Sequence, residues 1–107
     1  MESIPSQVES AHAKAGDLLA AAATSGNMQL LRVMGYVLGK PTENKDQYDR
    51  AMFSACDAGN VNVVKALLDM GVSSENKYAI ESAVLEGHLE IAKILQIHTA
   101  TIGVNNE

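Results

Sequence analysis

Three segments of this chain follow one plan, and that internal repeat restricts the fold more than any single residue does. Each segment has a short apolar stretch with small residues, then Gly and a polar residue, then an amphipathic stretch carrying one basic residue. The copies read Ala22-Ala23-Thr24-Ser25-Gly26-Asn27-Met28-Gln29-Leu30-Leu31-Arg32, Ala55-Cys56-Asp57-Ala58-Gly59-Asn60-Val61-Asn62-Val63-Val64-Lys65 and Ala83-Val84-Leu85-Glu86-Gly87-His88-Leu89-Glu90-Ile91-Ala92-Lys93. Their glycines are spaced by 33 and then 28 residues, a period that marks stacked solenoid units. A solenoid presents an extended surface, which points towards binding and away from a catalytic pocket.

The core such a stack can build is set by composition. The chain has 107 residues, 47% of them apolar, with no Trp, one Phe and three Tyr. One domain, residues 1–107, with an aliphatic core of closely approaching helices is expected. Thirteen acidic against eight basic residues give a net charge of −5. This balance disfavours a nucleic-acid partner or an anionic membrane surface, both of which call for concentrated Lys and Arg. Cys56 is the lone cysteine and has no partner for an internal disulfide. With no apolar signal peptide at the start, it indicates a reduced, cytoplasmic setting, in the protein's own cell or in one it is delivered into. No apolar run approaches the roughly 20 residues needed to span a bilayer.

Read along the chain, apolar periodicity predicts six helices in three hairpins, an all-α fold. Ser6 and Glu9 have the spacing of a capping box, predicting a first helix from Ser6 to about Ser25. Gly26-Asn27 turns the chain into a helix carrying Leu30, Leu31, Met34, Val37 and Leu38, and residues 39–44 read as a loop. Helices then run from about Asp46 to Ala58 and from Val61 to Met70, followed by a polar connector to Asn76. The last pair places Tyr78, Ile80, Ala83, Val84 and Leu85 before Gly87-His88, with Leu89, Ile91, Ala92, Ile94, Leu95 and Ile97 after it. Repeats are expected at about 6–40, 45–72 and 75–97, with a frayed tail over 98–107.

Helix, Gly-Asn/His turn, and helix with a basic residue six positions after the Gly: this arrangement resembles the ankyrin repeat. The nearest stretch is Glu86-Gly87-His88-Leu89-Glu90-Ile91-Ala92-Lys93-Ile94-Leu95, and Asp57 to Gly71 matches almost as well. The resemblance covers about residues 17–97. It departs from the family in lacking the Thr-Pro-Leu-His start of the first helix, and the last repeat is about five residues short. Short loops are therefore expected where the family projects β-hairpin fingers, so that the fingers are reduced or absent. Divergent, shortened copies of this kind are similar to ankyrin-type proteins of viruses and intracellular bacteria. The alternative folds are a generic six-helix bundle or another α-solenoid of helix pairs.

Candidate chemistry is sparse. His12, His88 and His98 are scattered, and His88 takes the turn position that the other copies fill with Asn27 and Asn60. No His or Cys pair has metal-ligand spacing, and no Gly-rich phosphate loop follows a strand. Cys56 stands where the other copies have Ala23 and Val84, so a buried, inert thiol is expected. These readings predict a non-enzyme with no catalytic residue, cofactor or metal.

Partners of the proteins this chain resembles contact loop tips and the exposed side of each first helix. Carried over by offset from the turn glycines, those positions are Thr24, Ser25, Asp57, Ala58, Leu85 and Glu86, with Asp46, Gln47, Asp49, Glu75 and Lys77 at the preceding helix starts. Five of these eleven are acidic. Arg32, Lys65 and Lys93 recur on the second helices. The expectation is an acidic concave face that steers a partner protein through a basic patch. The chain then acts as a stand-alone regulator, in the simplest case an inhibitor of a partner enzyme. The alternative is a structural or assembly subunit that self-associates through exposed terminal repeats, for instance as a homodimer.

Overall fold

A computed structural model describes the backbone of residues 3–105 and the side chains of residues 13–101. Six helices follow one another: α1 (Ser3–Ser25), α2 (Met28–Leu38), α3 (Lys45–Ala58), α4 (Val61–Asp69), α5 (Lys77–Leu85) and α6 (Leu89–Asn105). Among the described residues there is no strand. The chain is an all-α stack of three helix-turn-helix repeats.

Each pair is folded back by the same local chemistry. Gly26, Gly59 and Gly87 have φ of 77°, 77° and 79°, a left-handed conformation that costs glycine least. The following amide reaches the carbonyl oxygen five residues earlier: Asn27 to Ala22 at 3.0 Å, Asn60 to Ala55 at 3.0 Å and His88 to Ala83 at 2.7 Å. This 6→1 bond, the mark of a Schellman turn, satisfies a carbonyl the helix end would orphan.

Small residues decide how the pairs stack. Leu19, Ala22 and Ala23 of α1, Ala51, Met52, Ala55 and Cys56 of α3, and Ala79 and Ala83 of α5 are fully buried. α1 packs against α3, and α3 against α5, much more closely than α4 packs against α6. Alanine-lined helices approach one another where larger side chains hold the outer helices apart. α1, α3 and α5 form the inner layer of the stack. Leu31, Val63, Val64, Leu67, Ile91 and Leu95 of the outer helices complete the core.

Two connectors are held by side chains. After α2, Asn44 donates from Nδ2 to the carbonyls of Leu38 and Lys40, each at 3.0 Å. The buried Tyr48 hydroxyl lies 2.6 Å from the Gly39 carbonyl oxygen and 3.0 Å from that of Gly35. The loop after α4 buries Val72 and Ser74, with Ser74 Oγ 2.6 Å from Thr99 Oγ1 of α6.

Two expectations are corrected. α1 begins at Ser3, so Ser6 lies inside the helix, and Pro5 occupies the first turn where a missing N–H breaks no bond. Residues 98–105, expected to fray, continue α6. Of the apolar residues of α6, Ile91 and Leu95 are buried while Ile97 is 62% exposed. The side chains of Ser6, Glu9, His12, Ile102 and Val104 lie outside the described residues.

Candidate functional site

Solvent reaches each inner helix along one stripe, because the opposite face is committed to the core. On α3 the exposed stripe is Asp46, Arg50, Phe53 and Asp57, at offsets of four, three and four residues. On α5 it is Tyr78, Glu81 and Leu85, and on α1 Asp17, Ala21 and Thr24. The stripes run side by side, as the Arg50 Nη1 contact to Asp17 Oδ1 at 2.6 Å shows. Tyr78 is 73% exposed and Leu85 83%, far more than packing requires. Leu85 was expected on this face, whereas Phe53 and Tyr78 are additions to it.

The repeats are locked in register by the turn residues. Asn60 donates from Nδ2 to the carbonyls of Ala23 (2.6 Å) and Thr24 (2.8 Å) in the repeat before it. His88 does the same one repeat later, its Nε2 lying 3.3 Å from the Asp57 carbonyl oxygen. Asp57 and Thr24 occupy the same place two residues before their turn glycines. Asn27 has no repeat before it and caps its own helix, its Oδ1 accepting from the Leu30 amide at 3.0 Å. His88 is thus a structural residue of the turn.

A family model of ankyrin repeats, three copies, matches residues 18–106. The chain belongs to the ankyrin-repeat family. No curated protein and no solved structure shows significant similarity to it. Ankyrin repeats are protein-protein interaction modules, so the inner stripes of this ankyrin domain are the surface to inspect for a partner.

The residues selected from sequence divide into three places. Asp46, Asp57, Ala58, Leu85 and Glu86 are exposed on the inner face or at its turn tips, beside Thr24 and Ser25. Thr24 Oγ1 and Ser25 Oγ donate to carbonyls of their own helix. Gln47 turns instead towards the seam between repeats, and Asp49 meets the next repeat only through its backbone carbonyl. Gln47 Cγ would lie 2.9 Å from a Cβ at Gly16 of α1. Asp49 pairs with Lys45, and its carbonyl accepts from Asn76 Nδ2 at 3.0 Å. Glu75 and Lys77 stand on the C-terminal end of the stack, lining a groove of about 610 Å³ with Ile80, Val84 and Ala92.

Asp57 has two tasks. Its Oδ1 accepts from Ser82 Oγ of the next repeat at 2.9 Å, so its carboxylate also joins the repeats. In the sequence Phe53 and Tyr78 are apolar residues within helical stretches. The repeat itself carries a signal for Tyr78, which stands where the other copies have the exposed Asp17 and Arg50, whereas Phe53 stands where they have the buried Ala20 and the exposed Glu81.

The remaining chemistry is quiet. Cys56 is fully buried, and burial pushes its thiol from 9.0 up to about 12, which removes the reactive thiolate at neutral pH. Among the described residues no group of three His, Cys, Asp or Glu is placed to hold a metal ion. No described helix is long and apolar enough to cross a membrane. Arg32, Lys65 and Lys93 are exposed on the outer helices.

Proposed function

We propose that this ankyrin domain is a non-enzymatic regulator that binds one partner protein through its inner face, in the simplest case an enzyme whose working surface it covers. What supports this most is the exposure of Tyr78 (73%) and Leu85 (83%), the most exposed of the large apolar residues on the inner layer. Large exposed side chains ringed by polar groups mark interaction sites, and aromatic residues carry a large share of binding energy at interfaces. Asp46, Asp57, Glu81 and Glu86 are exposed on the same inner layer or at its turn tips. The partner surface that fits is an apolar cleft with a Lys- or Arg-bearing rim, met in the cytoplasm. Acidic groups at the rim raise the association rate and exclude acidic competitors.

The test is affinity capture from lysate with the tagged chain and a Phe53→Ala/Tyr78→Ala variant, followed by quantitative mass spectrometry. One stoichiometric partner, depleted at least tenfold by the variant, is the expected result, and its activity is then assayed with and without the domain. A partner retained equally by both proteins places the site elsewhere.

A further inference from the structure

Among the described residues, each end of the stack exposes positions that the middle buries. At the C-terminal end Ile80 and Ala92 are half-buried and Val84 is 52% exposed. Counted from the turn glycines, their counterparts are Leu19, Leu31 and Ala23 in the first repeat and Met52, Val64 and Cys56 in the second. All six counterparts are fully buried, because the next repeat covers them. The groove of about 610 Å³ between α5 and α6 is the place where a fourth repeat would sit.

At the N-terminal end the converse holds. Leu18 is 43% exposed, while its counterparts Ala51 and Ala79 are fully buried. Leu30 and Met34 are half-buried, whereas Val63, Ile91, Leu67 and Leu95 at the same positions are covered. Apolar positions that a neighbouring repeat covers elsewhere in the stack are surfaces on which a further repeat can pack.

We infer that the C-terminal groove receives the N-terminal edge of a second copy of this chain, which continues the repeat interface from one molecule to the next. The occupant is specified by the fold: the surface that fills these positions inside the chain is the leading edge of a helix pair, and α1–α2 carries that edge uncovered. In this register Asn27 of the added copy faces the Leu85 carbonyl, as Asn60 faces Thr24 and His88 faces Asp57 within the chain. The contact joins unlike surfaces, so it does not close on itself and builds an open stack.

Sedimentation velocity over a wide concentration range, with end-blocked variants, tests this. Leu18→Arg blocks the leading edge, and Val84→Arg or Gln96→Arg blocks the groove. These side chains are exposed, and circular dichroism with thermal unfolding verifies each fold. The wild-type chain is expected to grow past two copies as concentration rises. Each variant alone stays monomeric, and an equimolar mixture of Leu18→Arg with Val84→Arg gives a 1:1 dimer that grows no further. Phe53→Ala/Tyr78→Ala leaves association unchanged, which separates this contact from the inner-face site. A wild-type monomer at all concentrations overturns the inference. So does a dimer of Leu18→Arg alone, which would mean a two-fold pair closed through the groove.

Discussion

The imidazole of His88 occupies the space that a side chain at Gly59 would need. A Cβ at position 59 would lie 2.7 Å from His88 Cε1, while the same ring reaches back to the Asp57 carbonyl at 3.3 Å. The turn of one repeat is thus shaped to receive the turn residue of the next.

Substitution of that glycine separates backbone strain from this contact. Gly87 has φ of 79° with nothing within 4 Å of an added Cβ, so Gly87→Ala is expected to cost about 1–2 kcal/mol of left-handed strain. Gly59→Ala carries the same strain and displaces His88 as well, and must cost more. Urea unfolding of both variants, and of Gly59→Ala/His88→Ala, measures the difference. Equal losses for Gly59→Ala and Gly87→Ala would show that the ring yields freely.

The two turn asparagines are expected to differ. Asn60→Ala leaves two carbonyls of the preceding repeat without their donor, a loss of roughly 1–3 kcal/mol. Asn27→Ala removes only a helix cap, at about 1 kcal/mol. Thermal unfolding ranks them, and the reverse order would deny Asn60 its bridging role.

Stability should decline at alkaline pH for a defined reason. Burial raises the Cys56 thiol from 9.0 to about 12 and raises the Tyr48 hydroxyl above 10.0. A raised folded value means the neutral group is favoured in the fold. Its contribution is complete below the unfolded value and is lost as pH climbs through the folded one. The chain should therefore weaken between about pH 9 and 12. Cys56→Ala removes the earlier part of that decline, and Tyr48→Phe the part beginning near pH 10. Urea midpoints measured across this range check the assignment, which fails if Cys56→Ala tracks the wild-type curve.

Binding and stability can be separated on the inner face. Tyr78→Ala and Leu85→Ala should leave unfolding within about 0.5 kcal/mol of wild type. Each should weaken capture of a partner by about 2 kcal/mol, roughly 30-fold. Glu86→Lys should reduce binding alone. Asp57→Lys should also lower stability, because it breaks the Ser82 hydrogen bond. A calorimetric titration beside each unfolding curve distinguishes the two effects.

Much of the fold was legible in the residues because its determinants are local. Gly26, Gly59 and Gly87 mark the turns, and the apolar period on either side marks helices whose observed limits follow it closely from Met28 to Leu85. The family resemblance rested on the same phrases. Less of the candidate site was legible. Gln47 has the composition of a binding surface but packs against Gly16 of the neighbouring repeat, Asp49 is paired with Lys45 of its own helix, and Phe53 and Tyr78 have the composition of a core but face solvent.

The difference is one of range. Glycine conformation, helix periodicity and capping depend on residues within a turn or two, so the sequence alone determined the helix pairs, their number and the buried, inert character of Cys56. Which side chain meets water depends on what the neighbouring repeat covers, and that is a contact between residues about 30 positions apart. Only the stacked structure decided that Asp57 ties to Ser82, that His88 reads the preceding turn, and that Leu18 and Val84 are left uncovered at its ends.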